Sequence, residues 1–248
     1  MPIYTPPLRD MQFVMHEVLK VCDDYQAMPR HAEIDADTID AVLEQAGKFA
    51  AEVALPLNVS GDAQGCTLDP KTHAVTAPAG FKEAYAQFVA NGWPGLSCDP
   101  EFGGQGLPLV VNQCLYEMLN STNQAWTMYP GLTHGAYAAL HSYGTDDQKQ
   151  TYLHKMTSGE WTGTMCLTEP HCGTDLGLMR TKAEPQADGT YKITGNKIFI
   201  SAGEHDLADN IVHLVLARIT DAPAGIKGVS LFIVSKHHVN KDGSLGER

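Results

Sequence analysis

The chain has 248 residues, of which 43% are hydrophobic and 19% are charged, so it can bury a sizeable core, and bulk disorder is not expected. Seventeen basic side chains against 29 acidic ones leave a net charge of −12, which argues against nucleic acids and anionic membrane surfaces as partners. No apolar run reaches the roughly 18 to 20 residues of a membrane span, and the start, MPIYTPPLRD, lacks the pattern of a signal or transit peptide. The sequence therefore predicts a cytoplasmic protein without a membrane span.

Six cysteines are scattered along the chain, at positions 22, 66, 98, 114, 166 and 172. They form no Cys-x-x-Cys pair and lie at no short spacing from paired histidines, so the spacing predicts no metal site. Without a secretory signal, these thiols are expected to be reduced, several of them packed as small hydrophobic side chains.

The first part of the chain has helical periodicity, most clearly after Asp37. Apolar residues there recur at three- and four-residue steps and would share one helix face: Ile39, Val42, Leu43, Ala46, Ala50 and Val53. Asp37 is the expected N-cap of this helix, and Pro56 is expected to end it.

Further helices are predicted along the same part of the chain. One should follow Pro78, and two separate helices are expected near residues 109–119 and 131–143. The last should follow Thr145, because Thr145 and Gln148 have the spacing of a capping box. About six helices in all indicate a helical domain.

From Trp161 onward, the pattern changes to alternation and turns, which is typical of strands. The predicted strands are residues 180–184, 191–194, 197–200, 211–219 and 229–234. Asp188-Gly189 and Gly195-Asn196 separate the first three strands, so two hairpins are expected. The last two are apolar and β-branched enough to be more buried.

These patterns predict an α+β fold with two domains. Residues 1–158 should form an all-helical N-terminal domain with a short extension over about residues 1–30, and residues 159–248 an antiparallel, β-barrel-like domain. The tail NKDGSLGER has the composition of a turn and suggests a chain interrupted within a domain.

The stretch MCLTEPHCGTDLG, residues 165–177, carries the most reactive side chains. A nucleophile built from Cys166 or Cys172 with His171 is disfavoured, because neighbouring side chains on an extended chain point apart. A metal site is disfavoured because no second ligand pair accompanies His171 and Cys172. Two interpretations stay open on the residues alone: a strand end whose backbone N–H groups and small residues bind a cofactor, and a tight turn in which Asp175 bonds its own backbone.

Four segments, in order, resemble stretches of the acyl-CoA dehydrogenase family. They are NGWPGLSCDPEFGGQGLP (91–108), YGTDDQKQTYLHKMTSGEW (143–161), MCLTEPHCGTDLG (165–177) and KIFISAGEHD (197–206). The resemblance covers nearly the whole chain, and the region from Tyr4 to Val21 looks most like the subgroup that includes methylthiopropanoyl-CoA dehydrogenases.

The resemblance implies a flavoprotein. In this family FAD lies between the β domain and a C-terminal helical bundle, which is absent from this chain. A glutamate removes a proton from the α carbon of an acyl-CoA thioester, and the β hydrogen leaves as hydride to flavin N5, which gives the 2-enoyl-CoA. The cofactor supplies the redox chemistry and the protein orients it. The glutamate is expected downstream of this chain, so no catalytic residue is assigned here.

By the same resemblance, Met165, Leu167 and Thr168 match positions that contact the flavin ring. Backbone N–H groups and the Thr168 hydroxyl would lie near its pyrimidine edge, where donors stabilise the charge of the reduced ring.

Four further residues match family positions at the cofactor. Gly173 and Thr174 correspond to residues at the pyrophosphate, and Thr174 also to a contact with the thioester end of the substrate. Phe199 matches an aromatic residue over one face of the flavin, where many members have tryptophan. Ser201 matches a hydroxyl near N5, where threonine is common.

Two carboxylates could be mistaken for the catalytic base. Glu169 lies inside the motif, but the resemblance gives it a structural role. Glu117 aligns loosely with the acyl pocket, where a solvated or capping carboxylate is expected instead. His171 and Cys172 replace smaller residues of the family and leave the shape of the pocket open.

The resemblance also implies partners and leaves alternatives. An electron-transfer flavoprotein is the expected electron acceptor, and a homo-oligomer is expected. One alternative is a non-catalytic subunit that shares a FAD site with another polypeptide. Another is an acyl-CoA oxidase-type variant that passes electrons to oxygen.

Overall fold

The computed structural model describes residues 3–248. Helices dominate the part before residue 160: α1 (Leu8–Gln12), α2 (Val21–Gln26), α3 (Ala36–Phe49), α4 (Pro56–Gln64), α5 (Phe81–Ala90), α6 (Leu109–Tyr143) and α7 (Asp146–Ser158). Two short strands, β1 (Thr67–Leu68) and β2 (Val75–Thr76), form a small antiparallel pair between α4 and α5. No helix in this described range has the length and apolarity that crossing a membrane requires.

Helix α3 is present where the apolar spacing predicts it, but both of its predicted ends are wrong. Its N-cap is Asp35 rather than Asp37, and the Asp35 carboxylate accepts a hydrogen bond from Thr38 N at 2.8 Å. At the other end the helical path continues through a π-helical turn (Ala50–Ala54) into α4, which begins at Pro56. A proline lacks the N–H that an ordinary turn needs, and the wider turn before it accommodates this loss.

Helix α6 (Leu109–Tyr143, 35 residues) consists of two helical parts, in agreement with the two helices predicted near residues 109–119 and 131–143, but no loop separates the two parts. Its two parts meet at Asn123, whose backbone is non-helical (φ −156°, ψ 82°). The Asn123 side chain accepts from Trp126 N at 3.0 Å and donates to Ala54 O at 3.1 Å, so it caps the second part and ties it to the π-helical turn. Trp126 is fully buried beside this kink. A buried cap of this kind depends on a contact 69 residues away, so local periodicity misses it.

The capping box before α7 is confirmed. Gln148 N donates to the Thr145 hydroxyl at 3.3 Å, and Thr145 N donates to the Gln148 side chain at 2.9 Å. Two otherwise unpaired N–H groups at the start of α7 are thereby satisfied.

A five-stranded sheet follows the helices: β3 (Trp161–Cys166), β4 (Lys182–Pro185), β5 (Tyr191–Thr194), β6 (Asn210–Ile219) and β7 (Val229–Ser235). The predicted fold class, a helical domain followed by a sheet domain, is confirmed. The predicted purely antiparallel pairing is wrong, because β3 and β4 both run parallel to β6, while β5 and β7 pair antiparallel with β4 and β6. Turn residues between neighbouring strands reveal hairpins, whereas parallel partners are distant in sequence.

One of the two predicted hairpins is confirmed, and the other is wrong. Strands β4 and β5 form the expected hairpin around Asp188-Gly189. Residues 195–200 form no strand. Ile198 N instead donates to Thr168 O at 2.9 Å, and Phe199 takes a left-handed backbone with φ of 58°.

Strands β3 and β4 lie along the same edge of β6. Strand β3 pairs as far as Cys166 with Val215, and β4 begins its pairing at Lys182 with Arg218. The chain therefore leaves this edge after Cys166 and returns to it about three residues of β6 later. The intervening residues 167–181, called the motif loop below, project from one point on the sheet.

Strand β3 packs directly on helix α6 at a glycine. Gly163 N donates to the Thr133 hydroxyl at 3.1 Å, and a Cβ on Gly163 would lie 2.5 Å from Ala136 Cβ and 3.0 Å from Met156 Cε. Only hydrogen fits at this position. The close approach fixes the height of β3, and so of the motif loop, above the helical domain.

We predict that Gly163→Ala destabilises the protein by about 2 kcal/mol, because an added methyl group in a filled interface forces its neighbours apart. Gly135→Ala is the matched control, since a Cβ there meets nothing within 4 Å and alanine is favoured over glycine inside a helix. Urea unfolding of both variants measures the difference. Equal unfolding midpoints for Gly163→Ala and the wild type would show that the interface is looser than described.

Candidate functional site

The motif loop begins at the exposed end of a buried strand. Met165 is 37% exposed, although the other residues of β3 are buried. Leu167 and Thr168 follow the last paired residue of β3 and are half-buried. This short stretch therefore presents an apolar side chain, a hydroxyl group and backbone that is not paired within the sheet.

Glu169 organises the interior of the motif loop. The residue is 3% exposed, and its two carboxylate oxygens accept from Arg180 N at 2.8 Å and Thr181 N at 2.9 Å. Glu169 also exchanges backbone hydrogen bonds with Cys172, at 2.8 and 3.1 Å. The carboxylate thus connects the beginning of the loop to its end.

Lys197 brings residues 197–206, called the second segment below, into the same cluster. Its ammonium group donates to Glu169 Oε1 and to Leu167 O, each at 3.0 Å. The next residue, Ile198, donates its N–H to Thr168 O at 2.9 Å. Segments 165–177 and 197–206, which are separate in sequence, therefore form one structural unit.

The hydrogen bonds decide the charge of Glu169. Burial by itself would raise the pKa of this carboxyl, but bonds from Thr181, Arg180 and Lys197 together lower the pKa to about 2. Glu169 is ionised at neutral pH and acts as an acceptor for three donors. A carboxylate held in this way is a poor base, which agrees with the structural role expected for it.

The distal part of the motif loop is a tight turn. Asp175 accepts from Gly177 N at 3.0 Å, as the turn interpretation of the motif expected. Arg218 then donates to Gly177 O at 3.1 Å and, through its other nitrogen, to the carbonyls of Pro223 and Gly225. The turn is thereby fastened to the connection that precedes β7.

Two of the predicted cofactor residues lie on this turn. A Cβ on Gly173 would lie 3.2 Å from Thr168 Cγ2, so Gly173 packs against the strand end. Thr174 is exposed. Thr168, which precedes the Glu169–Cys172 bridge, and Gly173, which follows it, are therefore close neighbours.

His171 and Cys172 do not form a nucleophilic pair. His171 Nε2 donates to Leu178 O at 3.0 Å, and Cys172 is buried. The thiol of Cys166 instead lies 3.9 Å from His213 Nδ1, and burial raises the pKa of this thiol. A buried protonated thiol is a weak nucleophile.

The same loop holds a group of three potential metal ligands. Ligand atoms of Glu169, His171 and Cys172 lie within 4.8 Å of one another. The oxygens of Glu169 are already bonded to two backbone N–H groups and the Lys197 ammonium, and His171 Nε2 carries the proton that it donates to Leu178. Because Glu169 and His171 are already engaged in these hydrogen bonds, the group stabilises the Glu169 carboxylate and does not suit a metal cation.

Phe199 and Ser201 lie on the second segment, next to the bond that joins the segments. Phe199 is 88% exposed although its backbone has φ of 58°, a conformation that is unfavourable for a bulky residue. Ser201 is half-buried in the turn that follows, where Gly203 N donates to Ile200 O at 3.2 Å. An exposed aromatic ring on strained backbone is a typical feature of a binding surface.

His205 and Asp206 anchor the end of the second segment. Leu207 N donates to His205 Nδ1 at 3.1 Å, so His205 Nε2 carries the proton and donates to the Thr162 hydroxyl at 2.9 Å. Burial, with Lys236 nearby, lowers the pKa of His205 to about 4, so the ring is neutral at pH 7. Asp206 accepts from Ala77 N in the helical domain at 3.0 Å.

Sequence reasoning missed these anchors and Lys197. The sequence patterns assigned no role to His205, Asp206 or Lys197, although all three lie inside the segment 197–206. Their position inside a family-like segment is a usable signal, but their partners are distant in sequence. Glu117, the other carboxylate considered, is exposed on α6.

Two family models match the chain, one after the other. The family model for the N-terminal domain of acyl-CoA dehydrogenases matches residues 36–160, and the model for the middle domain matches residues 164–244. The chain belongs to the acyl-CoA dehydrogenase family. The motif loop and the second segment both lie within its middle-domain match.

Individual relatives give the same result. The chain is 46% identical over 245 residues to 3-methylmercaptopropionyl-CoA dehydrogenase of Ruegeria pomeroyi, and the match covers 99% of this chain and 41% of that protein. The structure of butyryl-CoA dehydrogenase from Megasphaera elsdenii superposes with a TM-score of 0.66 at 26% identity, covering 80% of this chain and 48% of that one. A structure described as an electron transferring flavoprotein of Acidaminococcus fermentans superposes with a TM-score of 0.65 at 27% identity, covering 80% and 47%. The chain thus spans about two fifths of the length of the curated relative in Ruegeria.

We predict that Glu169→Gln lowers the free energy of unfolding by about 3 kcal/mol at neutral pH, and that this difference shrinks in acid. The pKa of Glu169 falls from its ordinary 4.5 to about 2 on folding, so its stabilisation is present above pH 4.5 and is lost as the pH falls toward 2. Urea unfolding of both proteins from pH 7 to pH 3 measures the difference.

Glu184→Gln is the control for this experiment. Glu184 is an exposed carboxylate on β4 and should show little difference from the wild type at any of these pH values. A Glu169→Gln difference that stayed constant down to pH 3 would contradict the description of Glu169 as a buried, hydrogen-bonded anion.

Proposed function

We propose that this chain forms the N-terminal and middle domains of an FAD-dependent enzyme that oxidises an acyl-CoA thioester to the 2-enoyl-CoA. The observation that carries the proposal is the hydrogen bond between Ile198 N and Thr168 O. This bond joins the two segments that resemble the family's flavin-binding stretches, and the exposed ring of Phe199 lies at their junction. The family membership of the chain supports the same function.

The residues at this junction fit a flavin. Met165 and Phe199 are exposed apolar side chains, which suit the faces of a planar aromatic ring. Leu167 and Thr168 add backbone N–H groups beyond the sheet pairing, and Thr168 and Ser201 add hydroxyls, so the pyrimidine edge and N5 would find donors.

The pyrophosphate of FAD would lie farther along the motif loop. Gly173 allows close approach of the backbone, and Thr174 is exposed with its hydroxyl available. By the family resemblance, Thr174 would also contact the thioester end of the substrate. All seven residues are proposed as contacts: Met165, Leu167, Thr168, Gly173, Thr174, Phe199 and Ser201.

The chemistry is divided between the cofactor and two parts of the protein. When bound, FAD supplies the acceptor for the hydride from the β carbon. This chain would hold the ring and stabilise its reduced form with the donors around Thr168. The α proton would be taken by a glutamate outside this chain, because the oxygens of Glu169 already accept from Arg180 N, Thr181 N and Lys197 Nζ and its lowered pKa makes it a weak base.

The proposed substrate is suggested by the names of the relatives, and the proposed partners by the family resemblance. The Ruegeria relative is named for 3-methylmercaptopropionyl-CoA and the Megasphaera structure for butyryl-CoA, so we propose a short, saturated acyl-CoA as substrate. An electron-transfer flavoprotein is the proposed electron acceptor, and a homo-oligomer is the proposed assembly. The domain boundary at residues 158 and 159 and the cytoplasmic location stay predictions.

We expect the intact protein to be yellow from bound FAD and to bleach when 3-methylthiopropanoyl-CoA or butyryl-CoA is added without oxygen. Flavin absorbance during anaerobic titration is the measurement. Peroxide formed in air would instead indicate an oxidase, and flavin bound only after mixing with a second polypeptide would indicate a shared-site subunit. A colourless protein that neither acyl-CoA affects would refute the proposal.

Phe199→Ala should weaken FAD binding by about tenfold, because the ring loses an aromatic contact worth roughly 1 kcal/mol or more. Tyr143→Ala is the matched control, since Tyr143 is an equally exposed aromatic residue, 91% exposed, at the far end of α6. Fluorescence titration of the apoprotein with FAD gives both dissociation constants. Equal values for the two variants would remove Phe199 from the site.

A further inference from the structure

The peptide group between Leu167 and Thr168 is held at its carbonyl by a charged donor. Lys197 Nζ donates to Leu167 O at 3.0 Å. The N–H of this same peptide group belongs to Thr168, which is the N–H proposed to meet the pyrimidine edge of the flavin. One planar unit thus has an ammonium at its oxygen and the proposed cofactor at its nitrogen.

The position of the ammonium is well defined. Lys197 is 11% exposed at its side chain, and its other bond, to Glu169 Oε1, is also 3.0 Å long. Glu169 is itself fixed by Arg180 N and Thr181 N. Lys197 therefore has little freedom to leave the carbonyl, and its bond is shielded from water.

A charged donor on a carbonyl polarises the peptide group. Electron density moves toward the oxygen, and the N–H on the other side of the amide becomes a stronger donor, an effect that is larger where water is excluded. The carbonyl of Thr168 is occupied as well, by Ile198 N at 2.9 Å, so the backbone here cannot rotate away.

We propose that Lys197 is a positioning residue that makes bound FAD easier to reduce, by polarising the Leu167–Thr168 peptide whose N–H faces the flavin. The inference rests on the proposed function, since it requires FAD at this surface. A reduced flavin ring carries more negative charge at its pyrimidine edge, so a stronger N–H donor there favours the reduced form over the oxidised one.

Lys197 should change the reduction potential of FAD by polarising the peptide group and not by adding a net charge to the site. Glu169 lies beside Lys197 and offsets its charge, so the field of the pair at a distance is small. Removing both charges would leave this net field nearly unchanged but would free the Leu167 carbonyl. The double variant Lys197→Met with Glu169→Gln therefore separates the two mechanisms.

The experiment measures the FAD reduction potential of the intact holoprotein by dye-equilibrated titration. Lys197→Met and the double variant should each bind reduced FAD about tenfold less tightly relative to oxidised FAD, a shift of about 30 mV toward more negative potential for a two-electron couple. Lys197→Arg should retain the wild-type potential to within a third of that shift. Lys192→Met, an exposed lysine of β5, is the control and should show no shift.

Different outcomes test the inference and the proposed function separately. A wild-type protein that binds no FAD would refute the proposed function. Wild-type potential in the double variant, with the loaded protein intact, would overturn the role of Lys197 and leave the proposed function standing. Should Lys197→Met hold no FAD because Glu169 is left unpaired, the double variant provides the same comparison without an unpaired charge, and thermal unfolding verifies that it is folded.

Discussion

The arrangement of this site depends on one buried carboxylate. Glu169 is almost completely removed from water, and an ionised carboxyl in such a place is stable only when donors replace the lost hydration. Arg180 N, Thr181 N and Lys197 Nζ provide them. Because these donors come from the end of the motif loop and from the second segment, the charge compensation of one residue assembles both segments.

The sheet and the helical domain hold this cluster in place from outside. Strands β3 and β4 return to one edge of β6, so the loop between them has both ends fixed. Gly163 sets the distance from β3 to α6, and His205 and Asp206 join the second segment to β3 and to the helical domain. The surface proposed to bind the cofactor is therefore positioned by contacts that lie on its buried side.

Chemical reactivity and proposed function lie on different residues. Glu169, His171 and Cys172 are the most reactive side chains of the motif, and each is occupied or buried within the loop. The proposed flavin contacts, such as Thr168 and Phe199, are unreactive and exposed or half-buried. This division suits a protein whose cofactor performs the redox step, because the protein has to provide shape, donors and the right local charge.

The sequence by itself determined the features that depend on neighbouring residues. Apolar spacing located α3, the Thr145–Gln148 pattern located the start of α7, and Asp188-Gly189 located the β4–β5 hairpin, since each is stabilised within a few residues. The four family-like segments also identify the family without reference to any tertiary contact. Only the tertiary structure decided the parallel pairing of β3 with β6, the cap at Asn123 and the bonds of Lys197 to Leu167 and Glu169. Their partners lie 28 or more residues apart in sequence, where only the packed chain brings donor and acceptor together.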